Sequence, residues 1–133
     1  MTNNHFSFIE MIRTDTGIEN IPNWEQINNL QALIRYVLNP VRELYGKPIY
    51  VTSGYRSPSV NKAVGGAKNS QHLKGEAADI TTLSIEENKK VFDIIKKHTF
   101  FDQLILEQGG KWIHVSFVYG KNRLEILHIN DTK

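Results

Sequence analysis

The sequence contains no cysteine, and this absence excludes several kinds of protein at once. A chain without thiols has no disulfide framework, no cysteine nucleophile, no iron–sulfur cluster and no zinc site built from cysteines. An excess of charge of one sign is also lacking, because 16 Lys and Arg residues stand against 14 Asp and Glu residues. The resulting net charge of +2 argues against nucleic acid as a partner bound through bulk charge.

Long apolar runs are lacking as well. No stretch approaches the roughly 18 apolar residues of a membrane span, so we expect no membrane insertion. Glu10, Arg13 and Asp15 interrupt the N-terminal segment, which predicts no secretory signal and synthesis in the cytoplasm. The length of 133 residues is that of one domain with its own core, and we expect residues 1–133 to form a single, monomeric domain.

The pattern of apolar residues in the first half of the chain predicts a helical region followed by a strand. A helix is predicted from Trp24, with Asn23 as its N-cap and an apolar stripe at helical spacing. The Asn39-Pro40 pair predicts a kink or two abutting helices, and Gly46 predicts the helix end. Residues 48–52, PIYVT, are a predicted strand because they are rich in β-branched and aromatic residues.

The second half of the chain predicts a helix and a hairpin. Ser84 and the glutamate three residues later have the spacing of a capping box, which marks a helix start. Two strands joined by a Gly109-Gly110 turn are predicted at residues 103–107 and 111–117, and an edge strand is predicted at 123–128. The order of these elements predicts an α+β fold with a small antiparallel sheet and flanking helices.

A long polar segment between Ser53 and Asp79 has few large apolar residues and predicts a loop. A loop of about 20 residues without structure of its own is uncommon in a compact domain and is more often functional. The segment contains His72, and a later strand contains His114. Two imidazoles and the Asp79 carboxylate would suit a catalytic zinc site, but each histidine taken alone is more often an ordinary hydrogen-bonded residue than a metal ligand.

Three blocks of the sequence together resemble the zinc D-Ala-D-Ala carboxypeptidases. They are SGYRSPSVNKAVGG, SQHLKGEAADI and WIHVSF, and they occur in the order found in that family. The family includes the vancomycin-resistance dipeptidases and the phage L-alanyl-D-glutamate endolysins, and it shares its fold with the hedgehog signalling domain. The pattern Ser-x-His-x-x-Gly-x-Ala-x-Asp is met from Ser70 to Asp79. The resemblance therefore implies a hedgehog/DD-peptidase-like fold.

The resemblance also implies the site residues. One zinc ion would be held by His72, Asp79 and His114. Arg56 would bind a carboxylate or carbonyl of the substrate, and Ser70 would either bind the substrate or orient the loop. In these roles the planar guanidinium of Arg56 is suited to a bidentate contact.

The general base is the point at which the sequence departs from many members of the family. These carry a glutamate three residues before the last histidine, where this chain has Lys111. Glu107 lies at the end of the preceding strand and is our predicted base, with Asp102 as the second choice. Trp112 occupies a position where some relatives have a histidine, and there it would stack against the substrate.

The function implied is that of a zinc metallopeptidase that hydrolyses stem peptides of peptidoglycan. It would be either a D-Ala-D-Ala carboxypeptidase or a phage-type endopeptidase, and the predicted lack of a leader suggests a phage or prophage endolysin that reaches the wall after release. Two alternatives remain open from the sequence. One is a zinc-containing binding domain without catalysis, and the other is a phage structural protein that binds the wall.

Overall fold

A five-stranded sheet lies at the centre of the computed structural model, which describes residues 5–130. Its strands are β1 (Tyr50–Ser53), β2 (Ala77–Thr81), β3 (Gln103–Glu107), β4 (Trp112–Ser116) and β5 (Glu125–His128). They are arranged in the order β1-β2-β4-β3-β5. The first four strands pair antiparallel, and β5 pairs parallel with β3. The α+β fold with a small sheet and flanking helices is confirmed.

The direction of β5 follows from a short connection. β4 ends at Ser116, beside the start of β3, because the two strands form an antiparallel hairpin. The chain then rejoins the sheet at that same end, where Leu124 N–H donates to the Phe101 carbonyl. β5 therefore runs alongside β3 in the same direction, which corrects the expectation of an entirely antiparallel sheet.

The helical region before β1 is continuous but not uniform. It consists of α2 (Trp24–Leu33), a π-helical turn (Ile34–Leu38) and α3 (Asn39–Tyr45). The wide turn lies just ahead of Pro40, whose ring lacks an N–H and crowds the preceding turn. The predicted boundaries hold: Asn23 forms a capping box with Gln26, and Gly46 ends α3 in the left-handed conformation.

The segment from Ser53 to Asp79 is more structured than predicted. It contains α4 (Pro58–Ala63) and a 3₁₀-helix (Gln71–Lys74), so the expectation of a long loop without structure of its own is wrong. Both pieces begin at serine caps, Ser57 and Ser70, whose hydroxyls accept backbone N–H groups. These local caps stabilise turns that have little apolar periodicity of their own.

The remaining helices are α1 (Phe8–Ile12) and α5 (Ile85–His98). Ser84 caps α5, but the Glu87 carboxylate contacts Tyr45 and Lys47 instead of completing the predicted capping box. Residues on one face of the sheet pack against the helices and form one core. Among residues 5–130, no helix combines the length and apolar character needed to cross a membrane.

Candidate metal centre

The face of the sheet opposite the core carries the predicted site residues. Along β4, Ile113 and Val115 are fully buried in the core, so Trp112 and His114 point to the other face. Asp79 of β2 is paired directly with His114, and Glu107 of β3 is paired with Trp112. Strand register alone therefore brings together side chains that lie far apart in the sequence.

Three side chains converge at the middle of this face. His72, Asp79 and His114 each offer one ligand atom, and these atoms all lie within 4.8 Å of one another. Asp79 Oδ1 is 2.9 Å from His114 Nδ1 and 3.4 Å from His72 Nε2. The structure thus assembles, from a 3₁₀-helix and two neighbouring strands, the three residues that the sequence singled out.

The His72 ring is held in a defined orientation. Its Nδ1 lies 2.7 Å from the Gly54 carbonyl oxygen, and because a carbonyl only accepts, Nδ1 carries the proton. The other nitrogen, Nε2, then presents its lone pair towards Asp79. Metal-binding histidines are commonly oriented by a carbonyl on their second nitrogen in this way.

The donor set fits a zinc ion. Two neutral imidazole nitrogens and one carboxylate oxygen are typical ligands of a catalytic zinc site, which keeps a further position for water or substrate. Burial favours the protonated form of Asp79, but the hydrogen bond with His114 and the nearby His72 imidazole outweigh it and hold the pKa of this carboxyl well below its usual range. Asp79 is therefore ionised at neutral pH, as a metal ligand must be.

Arg56 lies beside this centre. Its Nη2 donates to Asp79 Oδ2 at 3.2 Å, and its Nε donates to Ser53 Oγ at 2.9 Å. Nη1 contacts Asn61 Oδ1, and a Cβ at Gly66 would collide with both Asn61 and Arg56. The guanidinium is thus fixed next to the carboxylate that the sequence predicts as a metal ligand.

Glu107 lies on the other side of the centre, two residue pairs along the hairpin from the pair that contains His114. Burial raises the pKa of its carboxyl, and the charges of His114, Asp79 and His72 are close enough to act on it. Trp112, directly opposite Glu107, is half-buried. A carboxylate with a raised pKa near a metal centre has the properties of a general base.

Comparison with known proteins agrees with this arrangement. The family model described as Peptidase M15 matches residues 4–116, most of the chain. The chain belongs to the peptidase M15 family. The resemblance predicted from three sequence blocks is therefore confirmed, and membership of the M15 family together with the donor set implies a zinc cofactor.

A curated relative of this M15 chain is the zinc D-Ala-D-Ala carboxypeptidase of Streptomyces albus G. The two sequences are 50% identical over 44 residues, which are 32% of this chain and 17% of the relative. The matched segment thus spans less than a fifth of the relative's own length.

Ser70 of this M15 chain has a structural contact. Its Oγ accepts the backbone N–H of His72 at 3.1 Å and caps the 3₁₀-helix that carries the histidine. Of the two roles expected for Ser70, orientation of the loop is the one supported by a contact. Gly75 ends the same short helix in the left-handed conformation, and a Cβ there would meet the Gln26 backbone.

Asp102, the second choice for the base, is fully engaged elsewhere. Its carboxylate accepts three N–H groups of Arg123 and one from Gln71. The hydrogen bonds from Arg123 outweigh burial and lower the pKa of Asp102. Glu107 is therefore the better candidate of the two, because no hydrogen bond within residues 5–130 occupies its carboxylate.

Two supporting residues of the M15 site were not singled out by the sequence analysis. Gly54 supplies the carbonyl for His72, and Asn61 supports Arg56. Both lie in the SGYRSPSVNKAVGG block, so their sequence signal was present. Their roles depend on contacts across the fold, which residue type and spacing do not encode.

Proposed function

We propose that this M15 chain is a zinc metallopeptidase that hydrolyses peptide bonds in peptidoglycan stem peptides. The observation that carries the proposal is the convergence of His72, Asp79 and His114 on one sheet face, with Arg56 on one side and Glu107 on the other. The name of the Streptomyces albus relative supports a substrate of the D-Ala-D-Ala type.

Each residue of the candidate site has its own role in the proposed hydrolysis. When bound, a zinc ion polarises the scissile carbonyl and makes water more acidic. Glu107 accepts a proton from the attacking water and returns it to the leaving amine, so that one water and one peptide bond give a carboxylate and an amine. Arg56 binds a carboxylate or carbonyl oxygen of the substrate and stabilises the negative charge that develops. Trp112 lies where it would contact the substrate beside Glu107.

The proposal includes two finer alternatives. Removal of a terminal D-Ala and cleavage within the stem peptide use the same chemistry and differ in how the substrate is held. A phage-type endolysin, synthesised in the cytoplasm and acting on the wall after release, would cleave within the stem peptide. The name of the Streptomyces albus relative favours removal of a terminal D-Ala.

The test is mass spectrometry of defined muropeptides incubated with zinc-loaded protein. We expect cleavage by the wild type and none by His114→Ala, and the product masses identify the bond. Glu107→Gln should retain zinc and lose at least a hundredfold in kcat; full activity in this variant would exclude Glu107 as the base.

Failure of the wild type to cleave any muropeptide, with zinc bound, would reject the peptidase proposal. It would support the alternative of a zinc-containing binding domain without catalysis. Retention on peptidoglycan without cleavage would instead support a structural protein that binds the wall.

A further inference from the structure

Four aromatic side chains form a cluster away from the metal centre, and we call it the aromatic patch: Tyr36, Phe100, Phe117 and Tyr119. The Tyr36 ring stacks on Phe117 with centroids 5.3 Å apart, and its centroid is 6.0 Å from that of Tyr119. Tyr119 is 75% exposed and Phe100 is 74% exposed. Single exposed apolar side chains are ordinary, but neighbouring ones mark a surface that binds a partner.

Two cavities, of about 330 Å³ and about 310 Å³, meet at the aromatic patch, because Tyr36 and Tyr119 line both of them. The first extends to the residues that follow α5, and the second extends along α2. None of the three candidate metal ligands lines either cavity. Phe117 belongs to the core, whereas His114 points to the opposite face of the sheet. The two cavities therefore form one surface, which is distinct from the candidate metal centre.

The polar groups around the aromatic patch are mostly uncharged amides. Asn28 and Gln31 of α2 line the second cavity, and their side chains make no hydrogen bond with any other part of residues 5–130. Asn122 lines the first cavity, and its side-chain oxygen accepts a backbone N–H, which leaves its NH₂ group free within the same range. Among the described residues, no lysine or acidic residue lines either cavity, and Arg35 supplies the one guanidinium.

Backbone contacts hold the aromatic patch in a fixed position relative to the metal centre. Phe117 N–H donates to the carbonyl of Glu76, directly before β2, at 2.8 Å. On the other side of the patch, the Asn29 amide of α2 donates to the carbonyl of Lys74 at 2.9 Å. Lys74 is the last residue of the 3₁₀-helix that carries His72. A partner bound at the patch would therefore lie at a defined place with respect to the candidate ligands.

The combination of aromatic rings and free amides matches a neutral sugar polymer. The C–H groups on one face of a pyranose ring pack against the electron-rich face of an aromatic ring. Hydroxyl and acetamido groups of a sugar are both donors and acceptors, as are the side-chain amides of Asn and Gln. A nucleic acid or an anionic membrane would instead require several Lys or Arg side chains, which the described lining does not offer.

We propose that the aromatic patch binds the glycan strand of peptidoglycan, a chain of N-acetylated amino sugars that carries the stem peptides. This rests on the proposed function, which makes peptidoglycan the substrate, and it names a second part of the same polymer as a ligand. Binding at the patch keeps the protein on the wall between successive cleavages. Tyr119 and Phe100 are the residues most accessible to a sugar ring.

The experiment measures binding of zinc-loaded protein to immobilised glycan strands from which an amidase has removed the stem peptides. Surface plasmon resonance gives the Kd for the wild type, Tyr119→Ala, Phe100→Ala and Tyr119→Phe, and the last of these retains the ring. Tyr50→Ala is the matched control, because Tyr50 is an exposed tyrosine of β1 that lines neither cavity. Cleavage of a soluble stem peptide without sugars is measured for the same proteins.

We expect Tyr119→Ala and Phe100→Ala each to raise the Kd for glycan strands about fivefold to tenfold, which is the effect of losing one aromatic stacking contact. Tyr119→Phe and Tyr50→Ala should bind as the wild type does. Cleavage of the soluble peptide should be unchanged in every variant. Absence of wild-type binding to the strands, or equal binding by Tyr119→Ala and Phe100→Ala, would overturn the inference.

The two readouts separate this inference from the proposed function. Glycan binding that depends on Tyr119, without cleavage of any peptide, would uphold the patch as a glycan site and reject the peptidase. Cleavage of soluble peptide without glycan binding would uphold the peptidase and reject the glycan site. Sedimentation that shows dimers of the wild type but monomers of Tyr119→Ala, without glycan binding, would reassign the patch to a contact between copies of this chain.

Discussion

Gly54→Ala tests whether the carbonyl that orients His72 depends on a close backbone approach. A Cβ at residue 54 would collide with the Met11 carbonyl oxygen and lie 2.9 Å from its carbon and 3.0 Å from the Met11 Cα. These are backbone atoms, and the same carbonyl accepts Tyr55 N–H. Because these Met11 backbone atoms cannot rotate away, residue 54 and the α1 segment that contains Met11 must move apart.

The expected effects are of two kinds. Overpacking costs about 1–3 kcal/mol, and weakening the Tyr55–Met11 hydrogen bond adds about 1 kcal/mol, so we expect the free energy of unfolding to fall by about 2–4 kcal/mol. Displacing the Gly54 carbonyl also loosens the hold on His72 Nδ1. Loss of such a partner typically lowers metal affinity by about 10–100-fold.

Urea unfolding of the metal-free protein measures the first effect, and competition with a chromophoric zinc chelator measures the second. Gly46→Ala is the control, because Gly46 ends α3 with a φ of +78° and its Cβ would meet nothing within 4 Å. It should cost about 1 kcal/mol through backbone strain and leave zinc affinity unchanged. A Gly54→Ala variant with wild-type stability and wild-type zinc affinity would refute the reasoning.

Three further predictions concern groups that do not contact the metal ligands. Asp102→Asn removes the charge that Arg123 contacts and should lower the free energy of unfolding by about 2 kcal/mol in urea. The hydrogen bonds from Arg123 lower the pKa of Asp102, so the ionised Asp102 carboxylate contributes its full stabilisation at neutral pH and loses it as pH falls through the acid range. The free energy of unfolding of Asp102→Asn should therefore fall less on acidification than that of the wild type. Asn88→Ala breaks the contacts of a buried amide with the Thr81 hydroxyl and neighbouring backbone and should cost about 2–3 kcal/mol in the same assay. Burial and the hydrogen bond with Glu87 raise the pKa of Tyr45 to about 12, and an absorbance titration should find it lower in Glu87→Gln.

Each of these has a contrary outcome. Identical acid unfolding of wild type and Asp102→Asn would show that the contact with Arg123 contributes nothing. An Asn88→Ala variant as stable as the wild type would mean that water replaces the amide. A tyrosine titration unchanged by Glu87→Gln would remove Glu87 as a cause of the raised pKa.

Much of the fold could be predicted because its signals are local. Asn23 and Gly46 mark helix ends through their own hydrogen bonding and backbone conformation, and alternation along 112–116 separates the two faces of β4. The π-helical turn was not predicted, because it is a local widening of the helix ahead of Pro40. The helix α4 was not predicted either, because it is short and has a single buried apolar residue, Val60. The parallel pairing of β5 depends on where the chain re-enters the sheet.

Some features of the candidate site could likewise be predicted from the sequence, and others could not. His72, Asp79 and His114 were identified because a family pattern and the zinc donor types agree, and the register of β2 and β4 then brings two of them together. The pairing of Arg56 with Asp79 and the capping role of Ser70 require three-dimensional contacts. No spacing in the sequence indicates that the arginine expected to bind substrate also contacts the carboxylate expected to bind the metal.

Because β4 lies between β2 and β3, a bound metal ion would also stabilise the fold by linking separate segments of the chain. The three ligand residues belong to a short helix, to one strand and to another strand that is inserted next to it from much later in the chain. An ion held by all three would tie these segments together and restrict the unfolded chain, as a disulfide does in proteins that have cysteine. In a chain without a single thiol, such an ion would then act as a cross-link, and chelation would weaken the sheet at β4.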